Sequence, residues 1–248
     1  MKIEYIPAPN GAFQVPGLNA VDGEKKVILM AHGFGSEKRG TTPLFMTKGL
    51  KAAGFGVYGF DFPAHGDSEL EGDRLTVENC VASCAAAEAR VRELAPDAEI
   101  GYFGSSYGAY IFLVYLAAGA HQGRKAFLRS AAVDMPQLIW RVAEENGVSR
   151  EELEYVDLTE YNRPIRLYRA FCDDLGEHDV FRLYRPGTAT LRMIHGECDS
   201  TASPEAAKRF AAEKGAELIL FPGAEHRLME PGNPDKALRL AIAFFSGD

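Results

Sequence analysis

The stretch E-I-G-Y-F-G-S-S-Y-G-A-Y-I-F-L-V-Y-L-A-A-G, from Glu99 to Gly119, decides the fold. Ile100 to Phe103 has the character of a short buried strand, and Ala109 to Leu116 that of a helix apolar nearly all round. Gly104-Ser105-Ser106-Tyr107-Gly108 fills the seam, where an ordinary strand-to-helix loop would be polar and roomier. Glycines at both ends let the backbone bend tightly and the helix pack close, because neither carries a Cβ. The pattern is G-x-S-x-G with Ser106 at its centre. Between a strand and a helix, it thrusts a serine hydroxyl clear of its own backbone at the edge of a sheet.

Working outward, apolar runs alternate with helical stretches. Strands are expected at 25–33, 55–63, 125–133, 189–196 and 216–222, and helices at 45–54, 76–94, 204–214 and 234–245. Thr76 stands as N-cap of the Ala-rich helix, with Asn79 three residues on. Gly54 is placed to cap the end of its helix. Strands with continuously apolar centres, each fed by a helix, give an α/β fold: a mostly parallel central sheet with helices on both faces. K-I-E-Y-I-P (2–7) and G-A-F-Q-V-P-G (11–17) fit as a short antiparallel lead-in at one edge. The rhythm breaks between Asp134 and Gly187, too long an interval for an ordinary connection. The expected organisation is therefore a core of 1–133 and 188–248 with a helical lid insert at 134–187, helical in patches and without a clear strand.

Composition narrows the function. The chain has 248 residues, 46% of them hydrophobic, enough for one substantial core. A net charge of -8 argues against a nucleic-acid partner. The segment M-K-I-E-Y-I-P-A-P-N-G has no long apolar run, and Ala109 to Ala118 is too short to span a bilayer, so the expectation is a cytoplasmic protein with no membrane partner. Cys80, Cys84, Cys172 and Cys198 show no C-x-x-C pair and are expected as reduced thiols rather than a metal site. Oligomeric state is not legible.

A serine hydroxyl needs a base to take its proton. Where a serine sits on such a turn, an acid and then a histidine follow it along the chain. His178 lies among acids inside the insert, and His195 ends a strand. His226, in F-P-G-A-E-H-R-L-M, follows the last strand where the base belongs. For the acid, Asp199 in H-G-E-C-D-S leads, with Asp134 as its rival; Glu197 and Glu225 are the other acids nearby. An oxyanion needs two donors: the N–H of Tyr107, just after the serine, and that of Phe34 in the loop H-G-F-G-S-E-K. His32 is expected to buttress that loop.

The set H-G-F-G-S (32–36), D-F-P-A-H-G-D-S (61–68), G-S-S-Y-G (104–108), H-G-E-C-D-S (195–200) and G-A-E-H-R-L (223–228) resembles the α/β-hydrolase superfamily over nearly the whole chain. Within it, the chain is similar to bacterial cinnamoyl (feruloyl) esterases and the serine aminopeptidase-like, monoacylglycerol-lipase-like group. The resemblance implies Ser106 as nucleophile, Asp199 as acid, His226 as base and the Phe34 and Tyr107 N–H groups as oxyanion hole. It implies no cofactor, no metal and a small-molecule ester substrate. The motif departs from the group, which commonly has His before the serine and Gln after it. Lid residues Asp134, Gln137, Trp140 and Tyr168 are candidates for substrate binding.

Other readings remain. Amide or thioester cleavage would use the same residues, and a member of the fold could bind without turnover. G-S-E-K-R-G-T-T (35–42) begins like a phosphate-binding loop but has Thr41 where the lysine should stand, which argues against nucleotide hydrolysis.

Overall fold

The computed structural model describes residues 1–9, 11–119, 121 and 123–247. Eight strands form one sheet: β1 (Lys2–Pro7), β2 (Gln14–Ala20), β3 (Lys26–Ala31), β4 (Gly56–Phe60), β5 (Glu99–Ser105), β6 (Lys125–Arg129), β9 (Thr190–Gly196) and β10 (Glu217–Phe221). Their spatial order is β1-β2-β4-β3-β5-β6-β9-β10. From β4 onward neighbours run parallel, whereas β1 pairs antiparallel with β2 and β2 antiparallel with β4. The lead-in at the edge thus stands where the sequence put it.

Alternation along β3 sorts the core into two layers. Val27, Leu29 and Ala31 face the layer covered by α2 (Val77–Leu94), α3 (Tyr107–Ala117) and α7 (Pro204–Lys214). Ile28 and Met30 face the layer covered by α1 (Thr41–Ala52) and α8 (Asn233–Ser246). A strand buried on both sides reads as a continuous apolar run, as β3 does from Val27 to Ala31, and β4 is buried at every position. The Thr76 hydroxyl accepts the Asn79 N–H at 3.1 Å and caps α2. Helix α1 begins four residues ahead of the expected start, at Thr41, with Pro43 in its first turn. A Thr-Thr-Pro start reads as loop, yet proline fits a first turn, where its missing N–H has no partner to lose.

The interval 134–187 holds α4 (Met135–Glu145), α5 (Arg169–Glu177) and α6 (Val180–Leu183), and also a two-stranded antiparallel hairpin, β7 (Tyr155–Leu158) with β8 (Ile165–Tyr168). The expectation of no strand is corrected here. Val156 and Leu158 point inward and Tyr155 and Asp157 outward, a period-two pattern over only four residues. So short an alternation, among acidic neighbours, is lost against the helical background. Arg163, in the hairpin's turn, donates to the carbonyls of Gly66, Ser68 and Leu70 at 3.2, 2.6 and 3.2 Å, fastening the turn to the core.

The seam itself is tight. A Cβ on Gly104 would lie 2.6 Å from Ala109 Cα, and one on Gly108 2.5 Å from the His32 carbonyl oxygen. Gly104→Ala is expected to cost about 1–3 kcal/mol through overpacking, read as a lower urea midpoint. Gly176→Ala, on α5 with open space around it, is expected to be neutral or stabilising by up to about 1 kcal/mol.

Candidate active site

The C-terminal ends of the parallel strands bring three loops together. Ser106 follows β5 directly, at φ 54° and ψ -114°. That left-handed backbone costs a non-glycine residue on the order of 1–3 kcal/mol. It is held by the Ser106 N–H donating to the Arg129 carbonyl at 2.9 Å, and by its own carbonyl accepting from Ala109 and Tyr110 at 3.1 and 3.2 Å.

His226, between β10 and α8, sets Nε2 3.0 Å from Ser106 Oγ and Nδ1 2.8 Å from Asp199 Oδ2. A carboxylate only accepts, so Nδ1 carries the proton and the Nε2 lone pair faces the serine hydroxyl. Asp199 is buried in the loop after β9. Its Oδ1 accepts the N–H groups of Thr201 and Ala202 at 2.9 and 2.8 Å, and His195 Nε2 lies 3.0 Å from Oδ2. Burial alone would raise this carboxyl. The hydrogen bonds from His195, His226 and Ala202 outweigh it and hold the group well below its usual range. An imidazole so placed can accept a hydroxyl proton, and a carboxylate so placed can stabilise the resulting cation.

Tyr107 opens α3, where a first-turn N–H has no carbonyl one turn back. Among the described residues neither its N–H nor that of Phe34 is taken by a backbone carbonyl. Phe34 borders the same cavity as Ser106 and His226. The Phe34 loop is braced from below by His32, whose Nδ1–H donates to the Gly33 carbonyl at 2.8 Å while Nε2 accepts the Phe62 N–H at 3.2 Å. Complete burial pushes this imidazole down to about 4, keeping it neutral and structural. Lys38, in the same loop, is buried with Asp61 at 2.5 Å and Asp67 at 2.6 Å.

The sequence reading passed over Arg129 and Ser130. The Ser130 hydroxyl donates to the His226 carbonyl at 2.8 Å, and Arg129 Nη2 donates to the Arg227 carbonyl, so the pair at the end of β6 grips the histidine loop. The available signal was a pair of polar residues ending an otherwise apolar run, K-A-F-L-R-S.

The cavity over Ser106 has a volume of about 580 Å³, and its insert wall comes from the hairpin turn, including Glu160, Tyr161 and Arg163. The four lid candidates do not line it, which corrects that expectation. Asp134 precedes α4, makes no bond to His226, and has a buried Oδ1 without a partner; burial raises its carboxyl. Gln137 is exposed. Trp140 lies under the guanidinium groups of Arg150 and Arg169, at 5.0 and 5.6 Å, and the Tyr168 ring packs 5.9 Å from that of Tyr155. The reason is topological: the turn 159–164, not α4, reaches over the loop bearing Phe34. His178 bonds the Asp174 carbonyl at 2.8 Å within the insert. All four cysteines are free, and among the described residues no group of three or more His, Cys, Asp or Glu could hold a metal ion. Among them, too, no helix is long and apolar enough to cross a membrane.

Comparison with known proteins agrees with this architecture. The model of the alpha/beta hydrolase family matches residues 28–239, and the chain belongs to that family. No curated protein matches the sequence. Among solved structures, Est1E from Butyrivibrio proteoclasticus with bound ferulic acid superposes with a TM-score of 0.83 at 17% identity, over 98% of this chain and 99% of that one. Alpha/beta hydrolase domain-containing protein 10 from mouse gives 0.76 at 16%, covering 100% of this chain and 98% of its own. The Pyrococcus furiosus esterase Pf2001 gives 0.73 at 18%, covering 99% and 92%. At such identities the likeness is one of fold.

Because the folded Asp199 carboxyl sits below its ordinary value of 3.8, its contribution to stability is full above that pH. The contribution is lost as pH falls through the lower folded value. Melting curves between roughly pH 6 and pH 2 are therefore expected to converge for wild type and Asp199→Asn on the acid side, the wild type losing more on the way down. Parallel curves would contradict the assignment.

Proposed function

We propose that this member of the alpha/beta hydrolase family cleaves carboxylic esters through an acyl-enzyme formed on Ser106. What carries the reading is one chain of contacts: Ser106 Oγ to His226 Nε2 at 3.0 Å, and His226 Nδ1 to Asp199 Oδ2 at 2.8 Å. It ends beside two N–H groups able to receive an oxyanion. Esterases among the structural neighbours support it at the level of the fold.

In the proposed cycle His226 Nε2 takes the Ser106 proton as Oγ adds to the ester carbonyl. The carbonyl oxygen becomes an oxyanion and accepts from the N–H groups of Phe34 and Tyr107. Loss of one such donor in a comparable site costs about 3–4 kcal/mol. As the C–O bond to the alcohol breaks, His226 returns the proton to the leaving oxygen. Water then adds to the acyl carbon, giving its proton to the same nitrogen, and collapse releases the acid and restores Ser106. Asp199 keeps the ring in the productive tautomer and steadies its positive charge. The insert 134–187 serves as a lid through its hairpin turn. The four free thiols suit a reducing cytoplasm, and the net charge of -8 suits a small-molecule ester rather than nucleic acid.

Ser106→Ala and His226→Ala are each expected to abolish hydrolysis of p-nitrophenyl butyrate, and Ser106→Ala to abolish labelling by a fluorophosphonate. Asp199→Asn should lower turnover by roughly 10³–10⁴-fold, through the wrong ring tautomer, while Asp134→Asn should stay within a few-fold. An unlabelled wild type would point to a binding protein. A faster rate on an aminoacyl anilide than on any ester would point to amide cleavage.

A further inference from the structure

Two guanidinium groups stand beside Ser106 with no carboxylate, among the described residues, at ion-pair distance. Arg129, the last residue of β6, is only 6% exposed. Its Nη1 donates to Ser105 Oγ at 2.9 Å and its Nη2 to the Arg227 main-chain carbonyl, both neutral acceptors. Among the described residues no carboxylate lies within 4.0 Å of Arg129 or of the exposed Arg227 guanidinium. The acids that reach Arg129 do so at longer range and are occupied. Asp199 holds the two imidazoles, and Glu230 accepts from the Glu225 N–H and from Asn233. The contrast is with Lys38, the other buried cation among the described residues, which sits between two carboxylates.

Gripping Ser105 and the Arg227 carbonyl needs hydrogen-bond donors, not a charge. Keeping a cation out of water without a partner is strongly unfavourable, so the charge calls for an explanation that the packing does not supply. Burial, followed by the neighbouring positive charge of Arg227, pushes the Arg129 guanidinium down to about 10, still protonated at neutral pH. Both arginines line the cavity over Ser106 and also a second cavity of about 360 Å³, walled by Phe45, Met46, Leu228 and Pro231. An anion held there would lie within the reach of one small substrate whose ester occupies the Ser106 site.

We infer that Arg129 and Arg227 form an anion subsite that receives a free carboxylate carried by the substrate, on the acyl or the alcohol side of the scissile ester. The inference rests on the ester-hydrolase reading for what happens at Ser106, but not for the binding itself. The planar guanidinium fork matches a carboxylate with two parallel hydrogen bonds. Glu37 and Glu160 line the first cavity and Glu230 and Asp235 the second, so a group of one negative charge fits better than a dianionic phosphate. A second, apolar wall beside the fork suits the short hydrocarbon spacer that would separate carboxylate from ester.

Binding and turnover separate the two proposals. In titration calorimetry on Ser106→Ala, methyl hydrogen glutarate is compared with dimethyl glutarate for an acyl-side carboxylate. The 4-acetoxybutanoate anion is compared with its methyl ester for an alcohol-side one. In at least one pair the anion is expected to bind at least about tenfold more tightly than its neutral partner, as for a partly desolvated charge pair. Adding Arg227→Gln should reduce that preference to about threefold or less. Arg227 carries this test because it is exposed and, among the described residues, its side chain makes no hydrogen bond or ion pair. Arg129→Lys, which keeps the charge and loses the fork, should fall between. Discrimination in neither pair, or discrimination untouched by Arg227→Gln, overturns the subsite. If wild type cleaves the neutral esters but neither pair is discriminated, the subsite falls and the hydrolase stands. If the anion is preferred yet wild type cleaves none of the four, the hydrolase falls and the subsite stands.

Discussion

Helix α3 meets strand β3 at Gly108, where a Cβ would sit 2.5 Å from the His32 carbonyl oxygen and 2.6 Å from that of Ala31. That backbone-to-backbone approach fixes everything above it. With the helix start pinned to β3, the residue between strand and helix is forced into a left-handed turn, and its side chain leaves the sheet edge upward. The same approach sets the start of α3, with the Tyr107 N–H, beside the loop that follows β3, which carries Phe34. A looser seam would keep the strand and the helix and lose their common focus.

The charges around the focus are arranged by burial rather than by surface pairing. Asp199 answers its desolvation with two backbone N–H groups and two imidazoles, so the carboxylate stays ionised where it is least hydrated. His195 Nε2 lies 3.0 Å from Oδ2 and 3.1 Å from the Ala202 carbonyl, so it ties the acid to the loop that follows β9. His32 meets the same desolvation by staying neutral, since one nitrogen donates to Gly33 and the other accepts from Phe62. Of two buried groups at the same sheet edge, one thus stays charged and the other neutral, and the difference lies in who donates to whom.

Elements with long, strong patterns were legible in the chain: the α/β rhythm, the capped helix α2, the edge lead-in, and the order of serine, acid and histidine. Ser106, Asp199 and His226 were each readable because each follows a recognisable strand, and the structure brings the three within hydrogen-bond reach. The insert was not legible, and the failure has a cause. Its hairpin strands are four residues long, so alternation could not outweigh composition, and α4 offered conspicuous residues that point elsewhere. Trp140 drew attention as the lone tryptophan, yet two arginines cover it. Tyr161 and Arg163 sit in a turn, where neither periodicity nor motif marks a residue, and their role depends on which core loop the turn lands upon. Arg129 was hidden in a strand whose polar end looked like a boundary.

Backbone strain traces the same site independently of its chemistry. Among the described residues four non-glycine positions have positive φ: Ala64, Ser106, Ser130 and Leu228. Each costs on the order of 1–3 kcal/mol and persists only where surrounding contacts over-determine it. Ala64 precedes His65, which lines the cavity, and its N–H is held by the Leu70 carbonyl at 3.0 Å. Ser130 bonds the carbonyl of His226, and Leu228 lies two residues beyond that histidine with its side chain buried. The strained positions therefore come from four different loops, and each either lines the cavity over Ser106 or is the chain neighbour of a residue that does: His65, Arg129 or Arg227. Helices and strands elsewhere in the chain relax into ordinary geometry. A fold that concentrates its unfavourable backbone around a single hydroxyl and a single imidazole spends stability on their relative position. The hydrogen bonds from Arg129 and Ser130 to the histidine loop are what hold that position against relaxation.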